Sequence, residues 1–591
     1  MRRPLPISRG LVFALFFLVP ASGAFAAEAG TLRAGAAKSE ITPAAGTPLS
    51  GYGKLRGKKT RGTHDPLFAR SLAFSRGDKT FLITSLDLCL VDEELRAAVL
   101  RKIHEKRPLA PENFVLTATH THSGAGAVGG RFWERFIMGK FEKKVFEALT
   151  SAAAESGVAA LDAEVPVRAE YAQLRIDDLV ENRMIPKLRY PQFLKILRFK
   201  DGKDAVAGQL LFMAAHPTVF PAKEKMEFSA DYPGVLAAAL EEKTGGAVSV
   251  FVNGAAGDLR PHLPDGDDKL SKMTAYGRAL AEKTAAASFS PAGLEGPWEA
   301  VLERVKLPRT QVRISGPFKI PSLIGNRFFP RKTFFQGLRL GDFVLLTFPG
   351  EITSEIGHEI EAQAAESGLR PLLAGYANDY LAYVVPRRYY RDMEQYESRV
   401  SFYGKDMAWF AQKKMLAIAD KLLTAEEKAA MEAPGTLEWQ GELPVLLLHG
   451  SAYHQGFEEG RLMKDKIHSG VDGIFGYFRG QIPVPLVNRL IIRSIGNRAW
   501  KKMEPYVSYE EYETIRGLSD GSGVSLGTMK RIHALPELFP ALCTNGAYWG
   551  KATADGRLIA LRNLDWNREM GVHKLAAIKF HDSRGREDFV N

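Results

Sequence analysis

The chain has 591 residues, of which 45% are apolar and 25% charged, with a formal net charge of +11 and two cysteines. These fractions are ordinary for globular protein and exclude a disordered or collagen-like chain. The positive excess is spread rather than blocked and has no nucleic-acid motif beside it, so no nucleic-acid partner is expected. Length alone predicts roughly two to four domains.

Arg2, Arg3 and Arg9 precede the apolar run Leu11–Val19, and Ala24-Phe25-Ala26 supplies a small-x-small cleavage site. Residues 1–26 therefore read as a secretory signal peptide, too short for a comfortable membrane span. The expectation is export to the periplasm or the medium, with the mature protein soluble or peripheral to a membrane. Two later stretches, Pro317–Lys332 and Ile482–Lys502, mix bulky apolar with basic residues. They read as ordinary core-facing segments with basic edges, with a contact with a membrane surface as the lesser alternative.

A strand pair is predicted over Ser71–Ser75 and Thr80–Leu86 about the turn Arg76–Lys79. Helical periodicity follows over 92–106 until Pro108 and Pro111 break it. Cys89 sits in the mostly apolar run Leu86–Val91 and reads as a small buried residue. The strand beginning at Phe114 runs into His120-Thr121-His122, and a helix is expected over Arg131–Glu155. Three more apolar strands follow. Val206–Ala215 delivers His216-Pro217, Ala247–Val252 delivers Asn253 to Asp258, and Asp342–Phe348 delivers Pro349-Gly350-Glu351. A helix over Thr353–Glu366 and a strand over Leu372–Tyr376 lead to Asn378-Asp379-Tyr380. This alternation predicts an α/β domain on a mixed sheet with at least some parallel pairing. Composition shifts at 424–442, which reads as a linker, and Leu443–Leu448 opens a second unit.

On a strand, side chains alternate, so His120 and His122 are expected on one side, where the backbone leaves the sheet. In open α/β sheets that edge binds ligands. Two imidazoles there hold a metal, or one holds it while the other moves protons. An isolated His-x-His also fits a pair of surface histidines; four later strand-to-turn segments ending on polar residues favour a site. Glu351 after Pro-Gly also fits the start of the following helix, His216 before Pro217 a loop histidine, and Tyr383 a core position.

Read together, several separated motifs resemble the catalytic domain of neutral (non-lysosomal) ceramidases over about residues 32–423. They are His120-Thr121-His122-Ser123-Gly124, Asn182-Arg183, His216-Pro217, Gly257-Asp258, Pro349-Gly350-Glu351 and Asn378-Asp379-Tyr380 with Tyr383. The resemblance implies one catalytic Zn2+ held by His120, His216, Glu351 and Tyr383. It assigns proton transfer and amide recognition to His122, Arg183 and Tyr396, the last at a spacing one residue longer than the family's. A structural Ca2+ or Mg2+ stays open. Two imidazoles and a carboxylate with a weak or open position is a catalytic pattern, and zinc lowers the pKa of bound water to roughly 7. Arg183 or a tyrosine hydroxyl would stabilise charge on the carbonyl oxygen, and His122 would pass a proton to the leaving amine.

The implied activity is hydrolysis of an N-acyl amide of lipid type by zinc-activated water. Ceramide or a related N-acyl sphingolipid would give fatty acid and sphingoid base. The alternatives are an N-acyl sugar or peptidoglycan amide as substrate, or a lipid- or envelope-binding protein that keeps the fold without catalysis. No obligate protein partner is expected. Two features depart from the family. The segment Asn253-Gly254-Ala255-Ala256-Gly257-Asp258 lacks the serines its members carry just before this motif, so a serine-dependent mechanism has no hydroxyl there, and the family's following immunoglobulin-like domain is not evident.

The second unit carries Leu448 to Gly460, then Cys543-Thr544-Asn545-Gly546 and Arg562-Asn563-Leu564-Asp565-Trp566. These resemble the penicillin acyltransferase-like (C45) N-terminal-nucleophile hydrolases. The resemblance implies an autocatalytic cut between Leu542 and Cys543, with Cys543 as nucleophile and Arg562 and Asp565 orienting it. A lone cysteine also fits a buried thiol. The chain ends on Asp588-Phe589-Val590-Asn591. Residues 443–591 are therefore expected to be an incomplete, truncated α+β unit.

Overall fold

The computed structural model describes residues 30–51, 58–185, 187, 190–266, 268–315, 318–441, 443–481 and 485–534. It also describes the strands Cys543–Gly550, Gly556–Leu564 and Ile578–His581. The expected signal peptide and Asp565 lie outside the described residues.

Eight strands follow one another across the large sheet, in the order 249–253, 206–213, 193–201, 165–175, 33–40, 68–76, 79–86 and 114–118. A ninth, the short Ser290–Pro291, pairs with 165–175. The pairs 249–253 with 206–213 and 79–86 with 114–118 are parallel; the others along this path are antiparallel. A second sheet runs 298–306, 332–340, 343–347 and 370–374, with only its last pair parallel. The mixed α/β expectation matches this arrangement.

Period-two alternation decides the layers. On the large sheet, Leu72, Phe74, Phe81, Ile83, Leu210 and Val250 join a core shared with Leu338, Phe343 and Leu345 of the second sheet. Their neighbours Ala73, Leu82, Leu211 and Phe251 pack instead with residues of the helices Glu93–His104, Lys143–Asp162, Asp231–Lys243 and Lys269–Ala285. Val344 and Leu346 turn the other way, onto the helices Ser354–Ala365 and Met407–Lys421. The result is four layers, helix–sheet–sheet–helix. Aromatic rings fill the middle: Phe81 stacks on Trp298 at 5.4 Å and Phe74 on Phe199 at 5.8 Å.

The helix expected over 131–155 is instead two pieces, Arg135–Met138 and Lys143–Asp162. Gly139, at φ +80°, ends the first, a backbone that glycine adopts at little cost. The helix Glu93–His104 starts as expected, with Asp92 accepting from the Leu95 N–H at 2.7 Å.

Residues 424–442, expected as a linker, carry the helix Ala425–Met431 and the strand Thr436–Gln440, which pairs with Leu443–Leu448. The helices 452–462 and 509–522 of the second unit cross closely. A Cβ on Gly456 would lie 2.2 Å from the Thr514 carbonyl oxygen, and one on Gly517 2.0 Å from that of Tyr453. This unit docks on the first through Arg387, which reaches Asp406 at 2.9 Å and Glu504 at 3.1 Å and lies over Trp409.

Arg339, buried on strand 332–340, donates to both Glu427 carboxylate oxygens and to the Leu422 carbonyl. The Arg339 hydrogen bonds hold the Glu427 carboxyl at about 2. A depressed carboxyl contributes stability above its unfolded value and loses it as pH falls towards its folded value. Glu427→Gln is expected to lower unfolding free energy at pH 7 by about 1–2 kcal/mol. In denaturant titrations the gap from the native chain should close as pH falls from 4.5 towards 2.

Candidate functional site

The site forms beyond the C-terminal ends of two strands. Phe114–Ala118 stops two residues before His120, and Val206–Met213 three before His216. Between them, at the end of strand 249–253, the buried Asn253 amide donates to the carbonyls of Thr119 (3.1 Å) and Ala215 (3.2 Å). Those are the residues immediately before the two histidines, so one side chain sets the separation of both loops.

Strand alternation is therefore not what unites His120 and His122. The strand has already ended, and His120 takes a left-handed backbone with φ +72°, uncommon for a residue with a Cβ. The His120 N–H donates to the Leu88 carbonyl at 2.9 Å, and its Nδ1 sits 2.5 Å from the Cys89 carbonyl. This turn brings the two Nε2 atoms of His120 and His122 to 3.1 Å. His216 is fixed in the same manner, its Nδ1 lying 2.7 Å from the Ala256 carbonyl. With both Nδ1 positions committed to carbonyls, each ring turns its Nε2 inward, the arrangement of metal-binding imidazoles.

Glu351 and Tyr383 arrive from the other half of the domain. A two-residue parallel bridge pairs Glu351 with Tyr383 and Ile352 with Val384. Glu351 Oε2 lies 3.4 Å from His120 Nε2 and 3.0 Å from His216 Nε2. The Tyr383 hydroxyl is 3.0 Å from His216 Nε2. The four residues expected to share an ion thus meet at one point. His120, His216 and Glu351 place donor atoms within 4.8 Å of one another, as do Cys89, His120 and His122. These are the two His, Cys, Asp or Glu groups among the described residues that could hold an ion. Neither is the all-oxygen cage that Ca2+ or Mg2+ takes.

Arg183 and His122 stand at the open side. Arg183 Nη2 donates to the Gly257 carbonyl and the Tyr383 hydroxyl, both at 2.8 Å, and lies 3.3 Å from His216 Nε2. Tyr396 is 52% exposed, its ring edge-on to Tyr383 at 5.7 Å. Cys543 and Arg562 lie on an antiparallel pair in which Cys543 faces Leu564 and Asn545 faces Arg562.

Several supporting residues had no role in the sequence reading. Tyr380 donates to Glu351 Oε1, and Tyr376 stacks on His120 at 4.1 Å. Glu397 Oε1 sits 2.7 Å from Arg183 Nε. Tyr380, like Asn182 and Asp258, stands in one of the sequence motifs, whereas Tyr376 and Glu397 stand in none. Asp258 accepts from Asn182 (2.6 Å) and from the Ser354 N–H (2.6 Å), tying the Arg183 loop to the start of the helix Ser354–Ala365. Asp258, not Glu351, therefore serves that helix end.

Buried charges settle the protonation pattern. Burial alone would lower the His120 pKa, but the Glu351 carboxylate overrides it and carries it to about 10. Burial followed by the Arg183 charge lowers His216 to about 4. Burial, then the His120 and His216 charges, pushes His122 well below its ordinary value. Burial would raise Glu351, yet the His120 charge and hydrogen bonds from both histidines hold it far below the carboxylate range. One carboxylate and one imidazolium share the pocket with two neutral imidazoles. A bound cation would take the place of that imidazolium proton.

Residues 32–277 match the family model described as neutral/alkaline non-lysosomal ceramidase, N-terminal. The chain is 26% identical over 143 residues to protein dcd1B of Dictyostelium discoideum, covering 22% of this chain and 29% of that protein. It therefore spans under a third of the length of that relative. It is 23% identical over 466 residues to the neutral ceramidase of Pseudomonas aeruginosa, covering 63% of this chain and 69% of the relative. The fold superposes on the crystal structure of neutral ceramidase from Pseudomonas aeruginosa with a TM-score of 0.59 at 22% identity, over 67% of this chain and 75% of that one.

Asn253→Leu keeps the volume but leaves the buried Thr119 carbonyl without a donor and the Ala215 carbonyl with the Tyr232 hydroxyl alone. The expected loss is about 1–3 kcal/mol of unfolding free energy, read by denaturant titration, with the His120 and His216 loops separating in a crystal structure of the variant.

Proposed function

We propose that residues 32–423 form a zinc-dependent hydrolase of N-acyl amide bonds. Ceramide or a related N-acyl sphingolipid is the leading substrate. The observation that carries this reading is the convergence of His120, His216, Glu351 and Tyr383 on one buried point, with His122 and Arg183 at its open side. The match over 32–277 and the similarity to a bacterial neutral ceramidase support the substrate class.

Two imidazole nitrogens, a carboxylate oxygen and a phenol oxygen are a donor set that suits zinc. An ion there supplies a Lewis acid for the amide carbonyl and makes water acidic enough to attack near neutral pH. The protein does the rest. His122, neutral because of its burial and cationic neighbours, accepts a proton from the attacking water and returns it to the leaving nitrogen. Arg183, held by Glu397, faces the oxygen on which negative charge develops. Tyr396 borders the open side, where it would contact the amide. From Asn253 to Asp258 there is no hydroxyl side chain to serve as nucleophile.

The purified protein is expected to hold one zinc per chain by elemental analysis. Chelation should abolish hydrolysis of a fluorescent N-acyl sphingosine and added zinc restore it, whereas full activity after chelation would overturn the reading. Glu351→Gln should lose both metal and turnover. Arg183→Met should keep the zinc but lower kcat by about 10²–10³. In a panel of acyl lengths, indifference to chain length would favour an N-acyl sugar or peptidoglycan amide instead.

Export belongs to the same proposal: sequencing the mature protein should begin at Ala27. For residues 443–591 the cysteine-hydrolase reading is carried forward as a proposal. Intact-mass measurement should show a break before Cys543, and a single unbroken chain would remove it.

A further inference from the structure

Two segments far apart in sequence build an exposed apolar face near the candidate site. Phe132 and Phe136 come from residues 131–138, and Leu323, Ile324 and Phe328 from the helix Ser322–Phe328. The Phe132 ring lies 5.5 Å from Phe136 and 5.1 Å from Phe328, so the two segments join into one patch. Phe132 is 52% exposed and Leu323 83%. Clustered aromatic and aliphatic side chains left in water mark a contact surface rather than chance exposure.

The exposed charge on these two stretches is of one sign, while Glu94 of the helix Glu93–His104 adjoins Gly130 and lines the cleft with Arg331 and Lys332. Arg135, Lys140, Lys319, Arg327, Arg331 and Lys332 are exposed on the same two stretches. The acidic residue within 131–140 is Glu134, which is buried, and 318–332 contains none. Apolar side chains rimmed by Lys and Arg are what an anionic lipid surface accepts: rings enter the headgroup region and cations pair with phosphates. Among the described residues no helix is long and apolar enough to cross a membrane.

The patch is also one aromatic layer from the candidate site. Trp133, beside Phe132, is buried and stacks between Phe329 (5.8 Å) and Tyr380 (5.7 Å). Tyr380 in turn donates to Glu351.

We infer that Phe132, Phe136, Ile324 and Phe328, with their basic rim, seat this domain on an anionic phospholipid surface. The inference goes beyond the proposed chemistry. Vesicle binding is read without turnover, so it stands or falls separately from the hydrolase reading.

The test is sedimentation of the full chain with vesicles of phosphatidylcholine alone or mixed with phosphatidylglycerol. Binding to the mixed vesicles should exceed binding to neutral ones and weaken with salt. The pair Phe132→Ser and Phe328→Ser should lower it at least tenfold, and the pair Arg135→Glu and Arg327→Glu should remove the preference for phosphatidylglycerol. Phe328→Trp, which keeps an aromatic ring, should show blue-shifted emission over the native chain on vesicle addition. Equal binding to both vesicle types, unchanged binding by the serine pair, or no emission shift would each overturn the inference. So would a homodimer, detected by sedimentation velocity, that the serine pair dissolves, because a second copy would then be the occupant.

Discussion

The Asn253 carboxamide is the constraint on which the candidate site depends. It bridges the carbonyls of Thr119 and Ala215, one residue before each of the buried histidines. Buried carbonyls without donors are costly, so the two loops are held at the separation that satisfies both. The large sheet makes this possible by bending its ends together: the Ser85 hydroxyl donates to the Phe251 carbonyl at 2.6 Å across that gap. Strands that are not neighbours in the ladder thus meet at their C-terminal ends. That is where irregular backbone such as His120, at φ +72°, can be held.

Around this tie the molecule is stiffened by polar side chains that each serve two segments. Asn378 accepts from the Leu116 N–H (3.1 Å) and from Arg96 (3.0 Å), and donates to Gln336 at 2.6 Å. Asp379 joins Arg131 at 2.6 Å to Thr333 at 2.8 Å. Asp258 does the same for the Asn182 turn and the helix at Ser354. Each is fully or nearly fully buried. Buried polar groups that are satisfied in this way specify one arrangement more strictly than apolar packing does. Directly behind Glu351 stand the Tyr380 hydroxyl and, one ring further out, Trp133.

The centre is electrostatically arranged for a cation. Three imidazoles, a carboxylate and a guanidinium crowd a buried space, and Glu351 Oε2 lies against the Nε2 atoms of His120 and His216. In the protein alone a proton on His120 balances that carboxylate. Keeping His122 and His216 neutral leaves nitrogen lone pairs facing inward, which would have no purpose in a packed hydrophobic core.

The sequence by itself determined the local elements and the chemical inventory. Apolar runs in 68–76, 79–86 and 343–347 bounded by turn residues set strands whose two faces build different cores. Asp92 set a helix start, and the ends of the apolar strands named His120, His216 and Glu351. What it left undecided depends on distance in the chain. No local pattern shows that Asn253 reaches two loops, that Tyr380 supports Glu351, or that Gly139 divides an expected single helix. Nor does any show that 436–440 is a strand rather than a linker, since its partner must be found in space. Periodicity is a property of neighbours along the chain, whereas hydrogen bonds between residues some 130 positions apart, as from Asn253 to Thr119, exist only once the sheet has closed on itself.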